Sequence, residues 1–301
     1  QMVFNHLIGV RFPVGPPKYY MKLLRVGNQN KEKPAIIDKD GYIRDLSSIV
    51  KDFNYQTINS KTLDIIKKLK LSDLPKLSEK ERIGACVDSP QKFIGIGLNY
   101  IDHAEETGMK PPSEPIIFFK AVSCINGPND NIIIPKNSKK TDWEIELGVV
   151  IGKKAKYISE KESQNHIFGY CIVNDISERE FQIERLGTWD KGKGCDTFGP
   201  IGPHLVTKDE INNVQNLNLE LKINNNIMQN GNTNKMIFNV NFLVSYVSQF
   251  MTLFPGDIIT TGTPPGVGMA KNPPMFLKSG DIMELKIEKL GFQKQKVLSN
   301  K

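Results

Sequence analysis

The stretch Asp142-Trp143-Glu144-Ile145-Glu146-Leu147-Gly148-Val149-Val150-Ile151-Gly152 decides how this chain folds. Its second half is short, apolar and rich in β-branched residues, which predicts a buried strand over 147–151. Side chains alternate along a strand, so Glu144 and Glu146 share one face, with their carboxylates about 6–7 Å apart. Their repulsion costs on the order of 2 kcal/mol at an effective dielectric near 20. A divalent cation would offset that cost, whereas a solvated strand edge would avoid it.

A third acid, Asp175, follows another apolar segment, 167–173, which also predicts a buried strand. Three carboxylates together with water suit a hard cation, Mg²⁺ first and Mn²⁺ next. No cluster of cysteines and histidines has the spacing of a zinc site. The alternative is that Glu144 and Glu146 line a solvated edge while Asp175 caps the helix that follows it. Spacing alone leaves both interpretations open.

A short helix is predicted to begin near Ile101, with Asn99 as its cap and Gly108 just after its end. His103 and Glu106 stand three residues apart on it and therefore share a face. Such a pair can act as a general base with its orienting carboxylate, able to draw a proton from water. It can equally be an exposed pair on a helix surface. The glycine and prolines that follow are typical of mobile lids and of plain surface loops.

Lys193 lies between two glycines in a predicted loop, 190–194. Its amine could reach a substrate carboxylate or a developing oxyanion, or it could simply be solvated. The segment 95–97 lacks the third glycine of a dinucleotide fingerprint. The loop 262–268 contains prolines, which remove the N–H donors that a phosphate loop needs. No motif of serine hydrolase or thiol chemistry is present.

Composition indicates an ordinary globular protein of 301 residues, with 39% apolar and 24% charged residues. The formal charge is +7, but the basic residues are interleaved with acids, so we expect no nucleic-acid partner. No apolar run reaches the length of a membrane span, so no membrane partner is expected. The four cysteines lie far apart without a CxxC pair, which predicts reduced thiols and a cytoplasmic location. A mitochondrial matrix location is the alternative in a eukaryotic cell.

The sequence predicts three parts: a leader or extension over 1–20, a small N-terminal domain over 21–85, and a catalytic domain over 90–301. Apolar patterning and turn residues predict further strands over 23–26, 34–37, 42–46, 93–97, 116–119, 132–134, 217–223, 227–229, 257–261 and 281–287. Helices are predicted over 62–69, capped by Ser60 or Thr62, over 177–184 and over 242–250. An asparagine turn at 224–226 predicts a hairpin between two of these strands.

Several stretches together resemble the fumarylacetoacetate hydrolase family, in the order expected for it. They are 96–100 with Asp102, His103 and Glu106, then 142–152, 170–180, 191–203 and 255–268. The resemblance covers about residue 90 to the end of the chain. It implies an α+β fold, with a mixed β-sheet rolled into a partly open barrel and a small N-terminal domain. Members are commonly homodimers, so a homodimer is expected here.

The resemblance also implies roles for individual residues. Glu144, Glu146 and Asp175 are expected to hold Mg²⁺ or Mn²⁺. His103 and Glu106 are expected to activate water on a lid that orders over the substrate.

Four more residues are implied near the substrate. Lys193 and Thr263 are expected to meet its carboxylate or enolate oxygens. Arg179 and Gln182 are expected to lie near the pocket.

The implied activity is hydrolysis of a carbon–carbon bond in a small anionic 2,4-diketo acid of the acylpyruvate type. The His–Glu pair would activate water, and the ion and Lys193 would stabilise the resulting enolate. The family also hosts ureidoglycolate lysis, decarboxylation or tautomerisation of oxaloacetate-like acids, and isomerisation, so membership does not select one reaction. Leu98 and the segment 191–196 most resemble the bacterial branch with 2,4-diketo-3-deoxy-sugar-acid hydrolases and proteins labelled ureidoglycolate lyase. The intact pair and ligand set argue against a non-catalytic binding protein.

Overall fold

The computed structural model describes residues 21–300, and the predicted leader over 1–20 lies outside them. The strands of the described part are β1 Lys22–Val26, β2 Lys33–Ile37, β3 Ile43–Asp45, β4 Phe93–Gly97, β5 Ile116–Lys120, β6 Ile125–Asn126, β7 Ile132–Ile134, β8 Thr141–Asp142, β9 Ile145–Ile151, β10 Ile167–Asn174, β11 Ser177–Glu178, β12 Gly199–Thr207, β13 Asn218–Ile223, β14 Asn226–Asn232, β15 Ile258–Thr260, β16 Ile282–Ile287 and β17 Gly291–Ser299. The α-helices are α1 Ser60–Ile66, α2 Ile101–Thr107, α3 Ser163–His166, α4 Asp190–Lys193 and α5 Val240–Phe250.

Shorter helical turns complete the described chain. One is a π-helical turn, Glu180–Glu184. The others are 3₁₀ turns at Leu71–Asp73, Val122–Cys124, Glu160–Glu162, Lys208–Glu210, Thr233–Lys235 and Gly268–Ala270.

Two mixed sheets build the molecule. The larger sheet runs in the order β3-β2-β1-β12-β10-β9-β15-β4-β5, with β6 beside β12. The smaller one runs β14-β13-β16-β17-β7, and β8 pairs separately with β11. Most neighbours are antiparallel, while β4 with β15, β6 with β12 and β7 with β17 are parallel. Neither sheet closes on itself, which confirms the predicted mixed, partly open barrel.

The two sheets pack on each other through β10, β12, β16 and β17. Gln293 on β17 donates hydrogen bonds to the carbonyls of Ile172 on β10 and Gly202 on β12. Strands β10 and β12 therefore satisfy part of their polar backbone across the sheets rather than within one sheet. The interface fixes the end of β10, where one predicted metal ligand follows.

Strand β9 lies in the middle of the larger sheet, and all seven of its residues are buried. Gly148 is required there, because a Cβ at this position would lie 2.7 Å from Val173 and 2.8 Å from the sulfur of Cys171. The strand extends the predicted 147–151 by two residues toward the acids. It thereby brings Glu146 into the sheet itself.

The N-terminal segment continues the larger sheet. Strand β1 pairs with β12 in antiparallel register, with Lys22 opposite Val206 and Leu23 opposite Leu205. Strands β2 and β3 follow on its other side. Asn59, rather than the predicted Ser60 or Thr62, caps the helix that follows, since its side chain accepts from a backbone N–H. These strands therefore extend the same layer that carries β9.

Besides the two-residue strands, two long strands, β12 and β17, were missed by sequence patterning. Strand β12 contains two prolines and two glycines, which normally argue against a strand interior. Strand β17 buries Gln293 and Gln295 where a core strand usually carries apolar side chains, so its alternation is hidden. Both glutamines donate hydrogen bonds to backbone carbonyls. Burial of polar side chains is tolerated when they are hydrogen-bonded in this way.

Two local predictions around the site are wrong. The predicted helix over 177–184 is instead strand β11, paired with β8, followed by the π-helical turn. The predicted loop at 190–194 is instead helix α4, which carries Lys193 at its end. The predicted hairpin is confirmed, with Asn224 at φ 50° and Asn225 at φ 68°, the left-handed pair that a tight two-residue turn requires. No helix between residues 21 and 300 combines the length and hydrophobicity that a membrane span requires.

Candidate active site

The three predicted carboxylates meet where β9 begins and β10 ends. Glu144 directly precedes β9, Glu146 lies within it, and Asp175 follows β10, the antiparallel neighbour of β9. Their ligand oxygens lie within 4.8 Å of one another. The exposed fractions of these residues are 6%, 2% and 0%, so the alternative of a solvated edge is wrong. Asp175 binds buried cations instead of capping a helix.

Three buried basic side chains compensate part of this negative charge, and two of them, Lys193 and Arg179, contact Glu144. The Lys193 ammonium donates hydrogen bonds of 2.6 Å to Oε2 of Glu144 and 2.6 Å to Oδ2 of Asp175. The Arg179 guanidinium donates to Oε1 of Glu144 at 2.7 Å. Burial lowers the pKa of Lys193, but the carboxylates of Asp175 and Glu144 outweigh burial and raise that pKa above its ordinary value. The amine is therefore charged at neutral pH.

The two glutamates differ sharply in their electrostatic environment. Burial raises the pKa of Glu144, but the charges of Lys193 and Arg179 outweigh it and hold that pKa well below its ordinary value. Burial and repulsion by Asp175 and Glu144 raise the pKa of Glu146 well above its ordinary value. Glu144 is thus matched by the protein's own cations, and Glu146 is not.

The surroundings of Glu146 fit a divalent cation. Its carboxylate accepts hydrogen bonds from the Thr260 hydroxyl and, at 2.8 Å, from the N–H of Gly262, and neither donor is charged. Burial, and then the charge of Glu146, raise the pKa of Tyr100 well above its ordinary value. The Tyr100 hydroxyl is buried without a hydrogen-bond partner among residues 21–300. An all-oxygen donor set of three carboxylates suits Mg²⁺ or Mn²⁺, so these three side chains could hold a divalent ion.

The His–Glu pair lies on α2, partly covered by the loop 262–268. Nδ1 of His103 lies 3.0 Å from Oε2 of Glu106. His103 is buried, with 8% of its surface exposed, whereas Glu106 is exposed, so only the histidine departs from the alternative of an exposed pair. The N–H of Gly266 donates to Glu106 at 2.9 Å. Burial raises the pKa of Glu106, but the hydrogen bonds from His103 and Gly266 outweigh it and lower that pKa. The carboxylate therefore stays ionised and orients the imidazole.

Asn99 does not cap α2. The N-cap position is Tyr100, which makes no side-chain cap bond. The Asn99 amide instead donates to the carbonyls of Thr261 and Phe238, and its oxygen accepts from the N–H of Phe238. Asn99 thus joins the base of α2 to β15 and to the segment before α5. Gly108 ends the helix in the left-handed conformation, with φ 68°, as its position predicts.

The remaining predicted substrate residues fall into two places. Arg179 and Gln182 are buried beside Glu144, and the guanidinium donates to the Gln182 side chain at 3.0 Å. The Thr263 hydroxyl donates to the carbonyl of Ile145 at 2.9 Å. The structure therefore brings Arg179 and Gln182 to the carboxylates, and it turns the Thr263 hydroxyl toward the β9 backbone.

Two buried residues at this site were missed by sequence reasoning. Lys120, at the end of β5, donates to Oδ1 of Asp175 at 2.7 Å. Asp142 accepts from Nε of Arg179 at 2.9 Å and from the N–H of Gly268 at 2.7 Å. The sequence signal for Lys120 was a lysine at the end of an otherwise apolar strand. Asp142 stood in the opening stretch without an assigned role.

These features define a class of protein: a scaffold of two mixed sheets with a buried carboxylate centre, buried cations and a His–Glu pair. The family model described as fumarylacetoacetate (FAA) hydrolase C-terminal matches residues 92–298. The chain therefore belongs to the fumarylacetoacetate hydrolase family, and the resemblance seen in the sequence is confirmed.

Known relatives agree with this membership. A protein of Burkholderia lata, provisionally named a hydrolase, is 56% identical over 276 residues, which cover 91% of this chain and 98% of that protein. A fumarylacetoacetate hydrolase of Exiguobacterium antarcticum is 30% identical with a TM-score of 0.81, covering 93% of this chain and 100% of that one. A probable 2-hydroxyhepta-2,4-diene-1,7-dioate isomerase of Mycobacterium abscessus is 32% identical with a TM-score of 0.80 and the same coverage.

Proposed function

We propose that this protein is a divalent-metal-dependent hydrolase that cleaves a carbon–carbon bond of a 2,4-diketo acid of the acylpyruvate type. One observation carries the proposal. The loop 262–268 donates one backbone N–H to Glu146 of the carboxylate centre and another to Glu106 of the His–Glu pair. The two halves of the site are thereby held in one rigid arrangement, as hydrolysis at a coordinated substrate requires.

Each residue has a chemical task in this reaction. Glu106 holds Nδ1 of His103, which leaves Nε2 to take a proton from the water that attacks the distal carbonyl. Attack followed by carbon–carbon cleavage leaves negative charge on the departing 2-oxo acid. The Lys193 ammonium, buried at the centre, is placed to stabilise that charge before the carbon is protonated. A bound Mg²⁺ or Mn²⁺ would supply Lewis acidity and a template for the substrate's oxygens.

Substrate class follows from the charge of the site. Lys193 and Arg179 are buried cations next to the carboxylates, and once a divalent ion offsets the excess of carboxylates an anionic 2-oxo acid end would find complementary charge there. The names of two structural relatives, a fumarylacetoacetate hydrolase and a dienedioate isomerase, both denote acids with oxo or enol groups. These relatives support a class of substrates, and they do not select one substrate within it.

Isomerisation of a related enol acid is the second candidate. It is favoured by the isomerase relative at 32% identity. An isomerase would need only proton transfer, which the His103–Glu106 pair could perform without water attack. Decarboxylation of an oxaloacetate-like acid and ureidoglycolate lysis could use the same site, although no single contact favours them.

The test is turnover of a panel of acylpyruvates in the presence of Mg²⁺ or Mn²⁺. We expect the enol absorbance to disappear and two acids, one of them pyruvate, to appear in equal amounts. EDTA treatment and Glu146→Ala should each abolish turnover, whereas Glu220→Ala, at a partly exposed position on β13, should not. A single isomeric product would favour the second candidate, and full activity after EDTA would refute the metal requirement.

We also propose that the protein is a homodimer, as the resemblance implies. Light scattering coupled to size-exclusion chromatography would measure the mass of the particle. A mass equal to one chain across micromolar concentrations would refute the proposal.

A further inference from the structure

Lys120 is a fully buried cation that the proposed reaction does not use. It ends β5, the edge strand of the larger sheet, and its side chain is 0% exposed. Its ammonium donates to Oδ1 of Asp175 at 2.7 Å, to the carbonyl of Ile176 at 3.3 Å, and to the carbonyl of Lys193. Asp175 and Ile176 directly follow β10, and Lys193 is the last residue of α4. One ammonium therefore connects three segments of the chain.

The contacts account for every proton of this amine. An ammonium has three N–H donors and no acceptor, and all three donors of Lys120 have protein partners. None is left to meet a substrate oxygen. Lys120 is therefore not a catalytic group, and its effect must pass through the groups that it holds.

Those groups are a predicted metal ligand and the predicted catalytic lysine. The carboxylate of Asp175 is shared between two lysines, with Oδ1 on Lys120 and Oδ2 on Lys193. This division fixes the rotation of the carboxylate and directs Oδ2 toward the Lys193 amine, which also contacts Glu144. The same ammonium holds the carbonyl of Lys193, and so fixes the end of α4 from which the Lys193 side chain enters the centre.

We infer that Lys120 is a positioning residue that orients the Asp175 carboxylate and the Lys193 amine toward one shared centre. The inference rests on the proposed function, because it assumes that Asp175 binds a metal ion and that Lys193 acts on the substrate. It adds a residue that neither touches the substrate nor coordinates the ion.

Lys120 could also act on metal affinity in the opposite direction, through its charge. A cation beside Asp175 repels a divalent ion, so removing its charge alone would tighten metal binding. Removing a positioning residue would weaken metal binding, because Asp175 would lose its fixed rotation and part of the ligand geometry. Preorganised ligands held by outer contacts typically lose 10–100-fold in metal affinity when those contacts are removed. The direction of the change therefore distinguishes the two effects.

The first experiment measures binding of Mn²⁺ to the metal-free protein by isothermal titration calorimetry. We expect Lys120→Met to weaken Mn²⁺ binding by at least about tenfold, and Lys120→Gln, which keeps amide donors, to weaken it less. Unchanged or tighter binding in both variants would overturn the inference. If the wild-type protein itself binds no Mn²⁺, the metal site fails, and that result is separate from the behaviour of Lys120.

Lys92→Met is the matched control for loss of a lysine–aspartate pair. Lys92 lies 2.9 Å from the fully buried Asp257, at the end of β15 away from Glu146. The Lys92→Met substitution should leave Mn²⁺ affinity unchanged. Thermal unfolding of every variant identifies any that does not fold, and Lys120→Gln is the milder variant if Lys120→Met fails this check.

The second experiment tests the link to Lys193 at saturating Mn²⁺. Lys120→Met should lower kcat at least about tenfold with little change in KM. In a Lys193→Met background the same substitution should lower the residual kcat less than twofold, because residues that act through one another are not additive. Full additivity of the two substitutions would overturn the link between Lys120 and Lys193.

Discussion

The Lys193 ammonium lies 2.6 Å from Oε2 of Glu144, and both side chains are almost completely buried. The same amine contacts Asp175, so one lysine spans two of the three carboxylates. Taking such charges out of water costs several kcal/mol per ion unless each is paired and hydrogen-bonded. The arrangement therefore fits the proposed function better than a role in stability, since a well-packed apolar cluster would stabilise the fold at least as well.

Lys193→Met should lower kcat by about 10²–10³, the typical effect of removing a preorganised charge-stabilising donor. Mn²⁺ binding should not weaken, because the Lys193 amine lies between Oε2 of Glu144 and Oδ2 of Asp175 and competes with an ion for them, whereas Lys120 holds the other oxygen of Asp175. Steady-state kinetics and calorimetry on the same preparation measure both effects. Lost Mn²⁺ affinity with unchanged kcat at saturating metal would contradict the role given to Lys193.

Glu106→Gln should lower kcat by about 10²–10⁴, the range for general acid–base catalysis, with a smaller change in KM. The amide keeps the size of the side chain but loses the charge that orients the His103 imidazole. Glu105→Gln, on the exposed side of the same helix, is the matched control and should be silent. Equal activity of the two variants would show that the pair does not activate water.

Asp142→Asn should destabilise the fold by about 3–5 kcal/mol, because it leaves the buried Arg179 without one of its carboxylate partners. Asp142 also accepts the N–H groups of Gly268 and Met269, so the loop 262–268 should loosen. Urea unfolding gives the free energy of unfolding for each variant.

The control for this substitution is Glu180→Gln. Its partner in the exposed pair is Arg185, at 2.8 Å, and exposed pairs contribute less than about 1 kcal/mol. Similar losses from the buried and the exposed substitution would contradict the electrostatic account of Asp142.

The stability of the fold should fall between pH 6.5 and pH 4 in a way that depends on His204. Burial, and then the charge of Lys22, lower the pKa of His204 to about 4. Between these values the unfolded chain binds a proton that the folded chain does not, so the free energy of unfolding decreases as the pH falls. The full shift is worth about 3 kcal/mol.

His204→Gln removes the proton-binding group. The free energy of unfolding of this variant should therefore depend less on pH between 6.5 and 4 than that of the wild-type protein. Urea titrations at pH 7 and pH 5 suffice for the comparison. Parallel pH dependence in the two proteins would show that His204 is not responsible.

Sequence by itself determined the strands whose pattern is local. Apolar β-branched runs predict β9 and β10, and Asn224 and Asn225 predict the hairpin turn, because these preferences depend on neighbouring residues alone. The same local reasoning paired His103 with Glu106, since three residues of helix place two side chains on one face. The family resemblance then indicated which acids belong together.

Only the tertiary structure decided which charges meet. Spacing left Glu144 and Glu146 open between a solvated edge and a buried centre, and only the folded chain shows that both are buried, with Arg179 and Lys193 on Glu144 and Gly262 on Glu146. Lys120 is 55 residues from Asp175 in sequence, and no local pattern indicates that they touch. Strand β17 remained hidden because it buries two glutamines, of which Gln293 donates to carbonyls of the larger sheet and Gln295 to the carbonyl of Pro128. Contacts between distant segments depend on the whole fold, and this site is built almost entirely from such contacts.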